Sequence, residues 1–305
     1  MPELPEVESI RRGLAEHLTG RRILTAQAFG TRVIRRAPRG LAPVVGRTVR
    51  AVVRRGKFLW CDMGEDLALL AHLGMSGQFR VDEPSGSESA GGEERAGGSD
   101  NFGGERRHLR ARFALDNGRV LDFVDQRTFG YLAPVAFQAT ADGAPGGAGS
   151  ERAVVPAPVA HIARDLLDPH LDETALLEIL GTTGRAIKRV LLDQNIVSGI
   201  GNIYADEMLY RARIHPEATA LANRAARELL HAGREVLQAA LAAGGTSFDR
   251  LYVHVNGESG YFERSLQAYG RAGQPCKRCG TPLQKITLGG RSTTLCPVCQ
   301  VAPIG

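Results

Sequence analysis

The sequence predicts an α+β chain of more than one domain. Three observations carry this reading: a strand-rich first half, a helix-rich second half and a cysteine quartet near the end. Up to residue 137, RILTAQAF, RAVVRRGKFLWCDM and DLALLAHLGMSGQFRV carry β-branched and aromatic residues broken by Gly. Beyond residue 158, DETALLEIL, GRAIKRVLLDQN, NIYADEMLYRA and NRAARELLHAGREVLQAALAA are apolar at helical spacing. Cys276, Cys279, Cys296 and Cys299 then form C-x2-C-x16-C-x2-C. At 305 residues the chain has room for two domains, each with its own core.

The first element is a helix opened by MPELPEVE. Proline suits a first helical turn because its missing N–H would be unpaired there, and Glu3 and Glu6 complement the positive end of the dipole. Leu4, Val7, Ile10, Leu14 and Leu18 recur at three- and four-residue spacing, so an amphipathic helix alone accounts for the pattern. The same stretch has a second reading. Removal of Met1 would leave Pro2 as a secondary amine beside Glu3, a potential nucleophile.

Farther along, RARFAL and RVLDFV, joined by Asp-Asn-Gly, predict a hairpin. Residues 82–105 lack apolar periodicity and are rich in Gly, Ser and Glu, which predicts a disordered insert between strands. A second Gly- and Ala-rich stretch, 138–158, separates the two halves and is expected to be a linker. The last long helix should end at Gly244–Gly245. The sequence contains no internal repeat.

Charge is unevenly spread. Residues 1–81 hold 14 Lys and Arg against 7 Asp and Glu, and residues 270–305 hold five basic residues and no acid, whereas 82–105 has seven acids and only Arg95. Two basic ends suit a polyanion gripped at both. The apolar runs, such as LALLA at 67–71, are too short to span a bilayer. The expected location is therefore the cytoplasm.

Thiolates spaced as in the quartet can converge from two tight turns on one tetrahedral Zn2+, and four protein ligands leave no open position for catalysis. The metal is expected to be structural and to supply much of the folding free energy of so small a module. Its interior, GTPLQKITLGGRSTTL, reads as a hairpin with Arg291 near the tip, suited to a phosphate or to solvent. SGIGNIYADE places Gly199, Gly201 and Asn202 between helical segments, either as an ordinary turn or as an anion site built from backbone N–H groups. Arg185, Lys188 and Arg189 just upstream favour the anion site. Cys61, within FLWCDM, reads as a core residue.

Taken together, MPELPEVE, GKFL around Lys57, HLGMSGQFR, DQRTFG, IKRVLLDQ, GIGNIYADE, AYGRAGQPC and the cysteine quartet closely resemble the bacterial formamidopyrimidine-DNA glycosylases, and the likeness covers nearly the whole chain. It implies an N-terminal β-sandwich flanked by helices over 1–137, a helical domain with a helix–two-turn–helix over 159–267, and a zinc finger over 268–305. Double-stranded DNA with oxidised bases or abasic sites would lie in the cleft between domains, bound by a monomer associated with the nucleoid.

The resemblance implies that Pro2 is the nucleophile, Glu3 the proton donor and Glu6 its support. Lys57 and Arg291 would contact phosphates and donate protons in the eliminations. Met75, Arg127 and Phe129 would fill the hole left by the extruded nucleotide, a role that suits apolar wedges and a hydrogen-bonding Arg. His72, Lys188, Gly201 and Asn202 would bind DNA around it. The segment 253–265 matches the family's lesion-recognition loop only in position and in GYF. Two rivals are weighed: an endonuclease VIII-like enzyme for oxidised pyrimidines, and a DNA-binding module without catalysis. MPELPEV with Arg127 and Phe129 argues against the first, and Pro2, Glu3 and Lys57 argue against the second.

Overall fold

A computed structural model describes residues 2–82, 108–245 and 262–303. The expected insert at 82–105, apart from Asp82, and most of the expected recognition segment 253–265 lie outside the described residues.

Helix α1 (Leu4–Leu18) opens the chain, with Glu3 at its N-cap and prolines in its first turn. Val7, Ile10, Leu14 and Leu18 seat one face on the sheets that follow. Among the described residues nine strands come next: β1 (Ile23–Ala28), β2 (Ala51–Arg55), β3 (Phe58–Asp62), β4 (Leu67–His72), β5 (Gly77–Asp82), β6 (Leu109–Leu115), β7 (Val120–Asp125), β8 (Tyr131–Ala139) and β9 (Val154–Pro156). They form two antiparallel sheets ordered β1-β6-β7-β5 and β2-β3-β4-β8-β9.

Period-two alternation explains why the five-stranded sheet is apolar on both faces. Leu59, Cys61, Leu69 and Ala71 face Phe79, Phe113, Leu121 and Phe123 of the other sheet. Trp60, Ala68 and Leu70 point the opposite way, towards Val155, Val159 and Ile162. The expected hairpin is β6–β7. Cys61 is a core residue, and burial pushes its thiol up to about 12.

The helical half contains α2 (Glu173–Thr182), α3 (Ile187–Leu191), α4 (Asn202–Arg211) and α5 (Asn223–Ala242), around a separate core that includes Leu180, Val190, Tyr204, Met208 and Leu229. Gly244 and Gly245 both follow α5 at positive φ, as expected. The finger hairpin pairs β10 (Gln284–Leu288) with β11 (Arg291–Leu295).

The stretch 138–158 differs from its expected role as a linker. Gln138 and Ala139 belong to β8, and Val154–Pro156 form β9 in the same sheet. Between them, Ala148 exchanges backbone hydrogen bonds with Arg54 at 2.9 and 3.0 Å. A Cβ at Gly146 would lie 2.0 Å from Val154 O, and one at Gly147 2.2 Å from Arg54 O. The small residues that read as looseness are what let this chain lie flat against β2 and β9.

The two halves are tied by buried contacts. Leu4, the first residue of α1, packs into the helical core, and its N–H donates to Gly199 O at 3.0 Å. Arg54, 3% exposed, donates to Glu8 at 2.9 Å and to Asp165 at 2.8 Å, so one guanidinium bridges both halves.

Candidate active site and nucleic-acid interface

The site forms where the N-termini of α1 and α4 meet. Glu6 caps α1 by accepting the Glu3 N–H at 2.8 Å. The Glu3 carboxylate, the other half of this capping box, also reaches the second helix, accepting the N–H groups of Gly201 (2.7 Å), Ile203 (2.9 Å) and Tyr204 (3.3 Å). Gly201 is the N-cap of α4, and a Cβ there would fall 2.3 Å from the Glu3 carboxyl carbon, so only glycine admits it. The Tyr204 hydroxyl donates to Glu6 at 2.6 Å, closing the ring. Two converging helix N-termini favour negative charge nearby.

Pro2 is buried at this junction. Lys57 arrives from the turn between β2 and β3, where Gly56 adopts φ +56° and a Cβ would strike Ser198 at 2.8 Å. Its Nζ donates to Ile200 O at 2.8 Å, beside the Gln194 amide, which reaches the same carbonyl at 3.0 Å. Burial holds the Glu3 carboxyl above its usual range, more than Lys57 and the backbone N–H groups lower it. Burial also pulls the Lys57 ammonium down, aided by Arg291 and opposed by Glu3. The pocket thus sets a carboxyl held above its usual range beside an ammonium held below its own.

Arg291 is exposed at the tip of the finger hairpin, as expected. Asn202, the first residue of α4, donates to Ser292 O at 2.8 Å, joining that tip to the glycine turn.

Met75, Arg127 and Phe129 stand on two adjoining loops, β4–β5 and β7–β8. Met75 is 40% and Phe129 50% exposed, and Arg127 is exposed as well. The loop backbones are nevertheless fixed by Asp125, which is 1% exposed. Its carboxylate accepts from the Ser76 hydroxyl at 2.5 Å and from the Gly130 N–H at 2.7 Å, and Ser76 Oγ accepts the Arg127 N–H at 3.0 Å. At Gly74 a Cβ would lie 2.6 Å from the Gly130 nitrogen, so the loops touch backbone to backbone.

His72, half-buried below these loops, lies nearly parallel to the Tyr131 ring at 5.6 Å and accepts the Gly74 N–H on Nδ1 at 3.1 Å. Burial, with Arg35, Arg36 and Lys57, holds it down to about 4, so at neutral pH it offers a neutral N–H rather than a cation.

Lys188 requires a correction. It was expected at a DNA surface, yet it is 0% exposed, with Nζ 2.5 Å from Asp206 and 2.8 Å from Thr293 Oγ1. Asp206 also accepts the Thr294 N–H at 2.9 Å. The charge therefore joins α3 and α4 to the finger hairpin. Burial pushes Lys188 down and Asp206 up to about 6, while the attraction between them opposes both shifts. The sequence reading also missed Asp125, Ser76, Gln194 and Asp206. Asp125 stands at the head of DQRTFG, and its place at the end of an apolar strand was the available signal. Asp206 and Gln194 are matched to partners through the fold and carry no local signal.

The four cysteine Sγ atoms lie within 4.8 Å of one another, with Cys279–Cys296 at 3.5 Å and Cys276–Cys299 at 4.0 Å. A tetrahedral site with Zn–S near 2.3 Å requires S–S separations of about 3.8 Å. The donor set fits one structural zinc, held by Cys276, Cys279, Cys296 and Cys299.

Three family descriptions match in succession: the formamidopyrimidine-DNA glycosylase N-terminal domain over residues 1–132, its H2TH domain over 162–250, and the zinc finger found in FPG and IleRS over 273–301. The formamidopyrimidine-DNA glycosylase of Acidothermus cellulolyticus is 49% identical, over 99% of this chain and 98% of its own. That of Mycolicibacterium gilvum is 47% identical over 99% of both. Among solved structures, the MutM (Fpg) protein of Thermus thermophilus is 32% identical with a TM-score of 0.75, covering 98% of each chain. The Lactococcus lactis Fpg in complex with DNA containing an abasic site is 30% identical with a TM-score of 0.74, covering 98% of this chain and 100% of that one. Sandwich, helical half and cysteine finger follow the order of these three matches, and the chain belongs to the formamidopyrimidine-DNA glycosylase family.

Proposed function

We propose that the chain excises oxidised purines, 8-oxoguanine and formamidopyrimidines, from double-stranded DNA in base-excision repair, and then cuts the strand at the abasic site. The observation that carries this reading is the seat of Glu3, a buried carboxyl held above its usual range, between two helix N-termini and beside Pro2 and Lys57.

Once Met1 is removed, the Pro2 nitrogen is a secondary amine, and an α-amino pKa of roughly 8 leaves a usable fraction with a free lone pair at neutral pH. That lone pair attacks C1′ of the damaged nucleotide. The bond from C1′ to the base breaks, and the base leaves with the electron pair and takes up a proton. The nitrogen loses its proton, Glu3 protonates the ring oxygen O4′, and the C1′–O4′ bond opens to an iminium. Loss of a proton from C2′ expels the 3′ phosphate, and a second elimination expels the 5′ phosphate. Water then hydrolyses the iminium and frees Pro2.

Lys57 and Arg291 hold the flanking phosphates and supply protons in the two eliminations, with Asn202 and the Gly201 turn as further phosphate contacts and His72 as a neutral donor. Met75, Arg127 and Phe129 enter the vacated stack. Glu6 acts through the Glu3 backbone. Lys188 contributes indirectly, by holding the hairpin that bears Arg291. The catalytic unit runs through β9 rather than stopping at residue 137. On this reading the protein is a monomer working on nucleoid DNA in the cytoplasm; no helix among the described residues is long and apolar enough to cross a membrane.

Single-turnover base release tests the substrate class. A duplex with 8-oxoguanine opposite cytosine should react at least tenfold faster than the same duplex with an oxidised pyrimidine. Equal rates or the reverse order would contradict the purine reading.

A further inference from the structure

The zinc ribbon is docked on α4 at both ends. At the C-terminal end, the Arg278 guanidinium donates to Tyr210 O at 2.6 Å and to Arg211 O at 2.9 Å, and lies 4.4 Å from the centre of the Tyr210 ring. These carbonyls belong to the last turn of α4, where a cation complements the dipole. The Tyr210 side chain passes under the guanidinium into the small core of the finger, among Ala268, Cys276, Leu283 and Cys296. Its hydroxyl ends 3.2 Å from Cys276 Sγ, with both residues 2% exposed.

A zinc-bound cysteine is a thiolate and carries no proton, so between these two atoms only the hydroxyl can donate. A phenol buried this deeply needs a partner, and the thiolate is the one within reach. We propose that Tyr210 is an outer-sphere positioning residue of the zinc centre: its O–H donates to the Cys276 thiolate, anchors the finger to the end of α4 and slows loss of the metal. The Arg278 N–H approaches the same sulfur at 3.4 Å, so the thiolate is held from backbone and side chain together. A charge-assisted hydrogen bond in a dry setting is stronger than a neutral one, and removing an outer-sphere partner of a metal ligand commonly costs ten- to a hundredfold in affinity. The opposite end of α4 bears Gly201 and Asn202, so this bond fixes the far end of the helix that seats Glu3.

Tyr210→Phe keeps the ring, its packing and its contact with Arg278 while deleting the donor. In full-length zinc-loaded protein, transfer of zinc to excess chromophoric chelator should be at least about tenfold faster in the variant. In cobalt-loaded protein the sulfur-to-cobalt charge-transfer bands should shift, because the thiolate loses a donor. Arg278→Ala, which loosens the same docking without touching the hydroxyl, should leave those bands in place. Should Tyr210→Phe fail to fold, wild-type protein loaded with a spin-active cadmium isotope decides the matter: the Tyr210 hydroxyl proton should show scalar coupling to the metal. Unchanged zinc transfer and cobalt bands in a folded Tyr210→Phe protein, or no coupled hydroxyl proton in the wild type, would overturn the proposal.

Discussion

The two poles of the proposed DNA-facing surface are built on opposite principles. Glu3 and Lys57 are 3% and 9% exposed and hydrogen-bonded, whereas Met75 and Phe129 are 40% and 50% exposed. Under the proposed mechanism the buried pole must hold proton donors at fixed positions and shifted pKa values before substrate arrives, which requires removal from water and close pairing of polar groups. The exposed pole instead turns Met75 and Phe129 towards solvent, where under the proposed function they would meet the vacated stack. Its loop backbones are fixed through Asp125 and Ser76. The difference teaches that preorganisation here resides in side chains at one pole and in loop geometry at the other.

The first way to break this contrast is Glu3→Gln, which keeps the shape of the cradle but removes the proton. Base release should fall about 10²–10⁴-fold in single-turnover kinetics while affinity for lesion DNA changes little. A comparable loss of affinity would mean that Glu3 serves binding rather than chemistry.

A second test separates buried from exposed charge on the finger. Lys188→Met leaves Asp206 buried and unpaired and should cost about 3–5 kcal/mol of stability in denaturant unfolding. Arg291→Ala should leave stability nearly unchanged but lower the slope of log K against log salt by about 1. If Lys188→Met lowers that slope and spares stability, Lys188 contacts DNA rather than holding the finger.

Acid probes the seam between the halves. Burial raises Glu8, but the hydrogen bond from Arg11 and the charges of Arg54 and Arg11 outweigh it and bring its carboxyl down to about 2. A folded-state value below the unfolded value of about 4.3 gives stability that is fully present above that pH and is lost as pH falls towards 2, amounting to a few kcal/mol. Glu8→Gln should be less stable at neutral pH and should show a flatter acid limb between about pH 4 and 2. An unchanged limb in thermal melts would remove Glu8 from the account.

The smallest effect belongs to the exposed pole. Phe129→Ala or Met75→Ala should weaken binding to a lesion duplex by about 1–3 kcal/mol, the range for a stacking or wedging side chain, without changing stability. A loss of stability would show that these side chains serve the fold rather than binding.

Legibility in the sequence followed the range of the interactions. Helix α1, the β6–β7 hairpin and the cysteine finger rest on local spacing and were read directly. Arg291 near the finger tip was legible from the hairpin between the cysteine pairs, whereas Met75, Arg127 and Phe129 came from the family likeness alone. Lys188 was misread because its partners, Asp206 and Thr293, lie 18 and 105 residues away. The stretch 138–158 was misread because the absence of a Cβ signals a close approach of backbones as readily as a loose chain.

Borohydride trapping tests the central claim most directly. Protein incubated with a duplex containing 8-oxoguanine opposite cytosine and the reductant should yield a covalent adduct, and mass mapping should place the sugar remnant on the nitrogen of Pro2 with Met1 absent. An adduct on a lysine, or full activity with Met1 retained, would contradict the account.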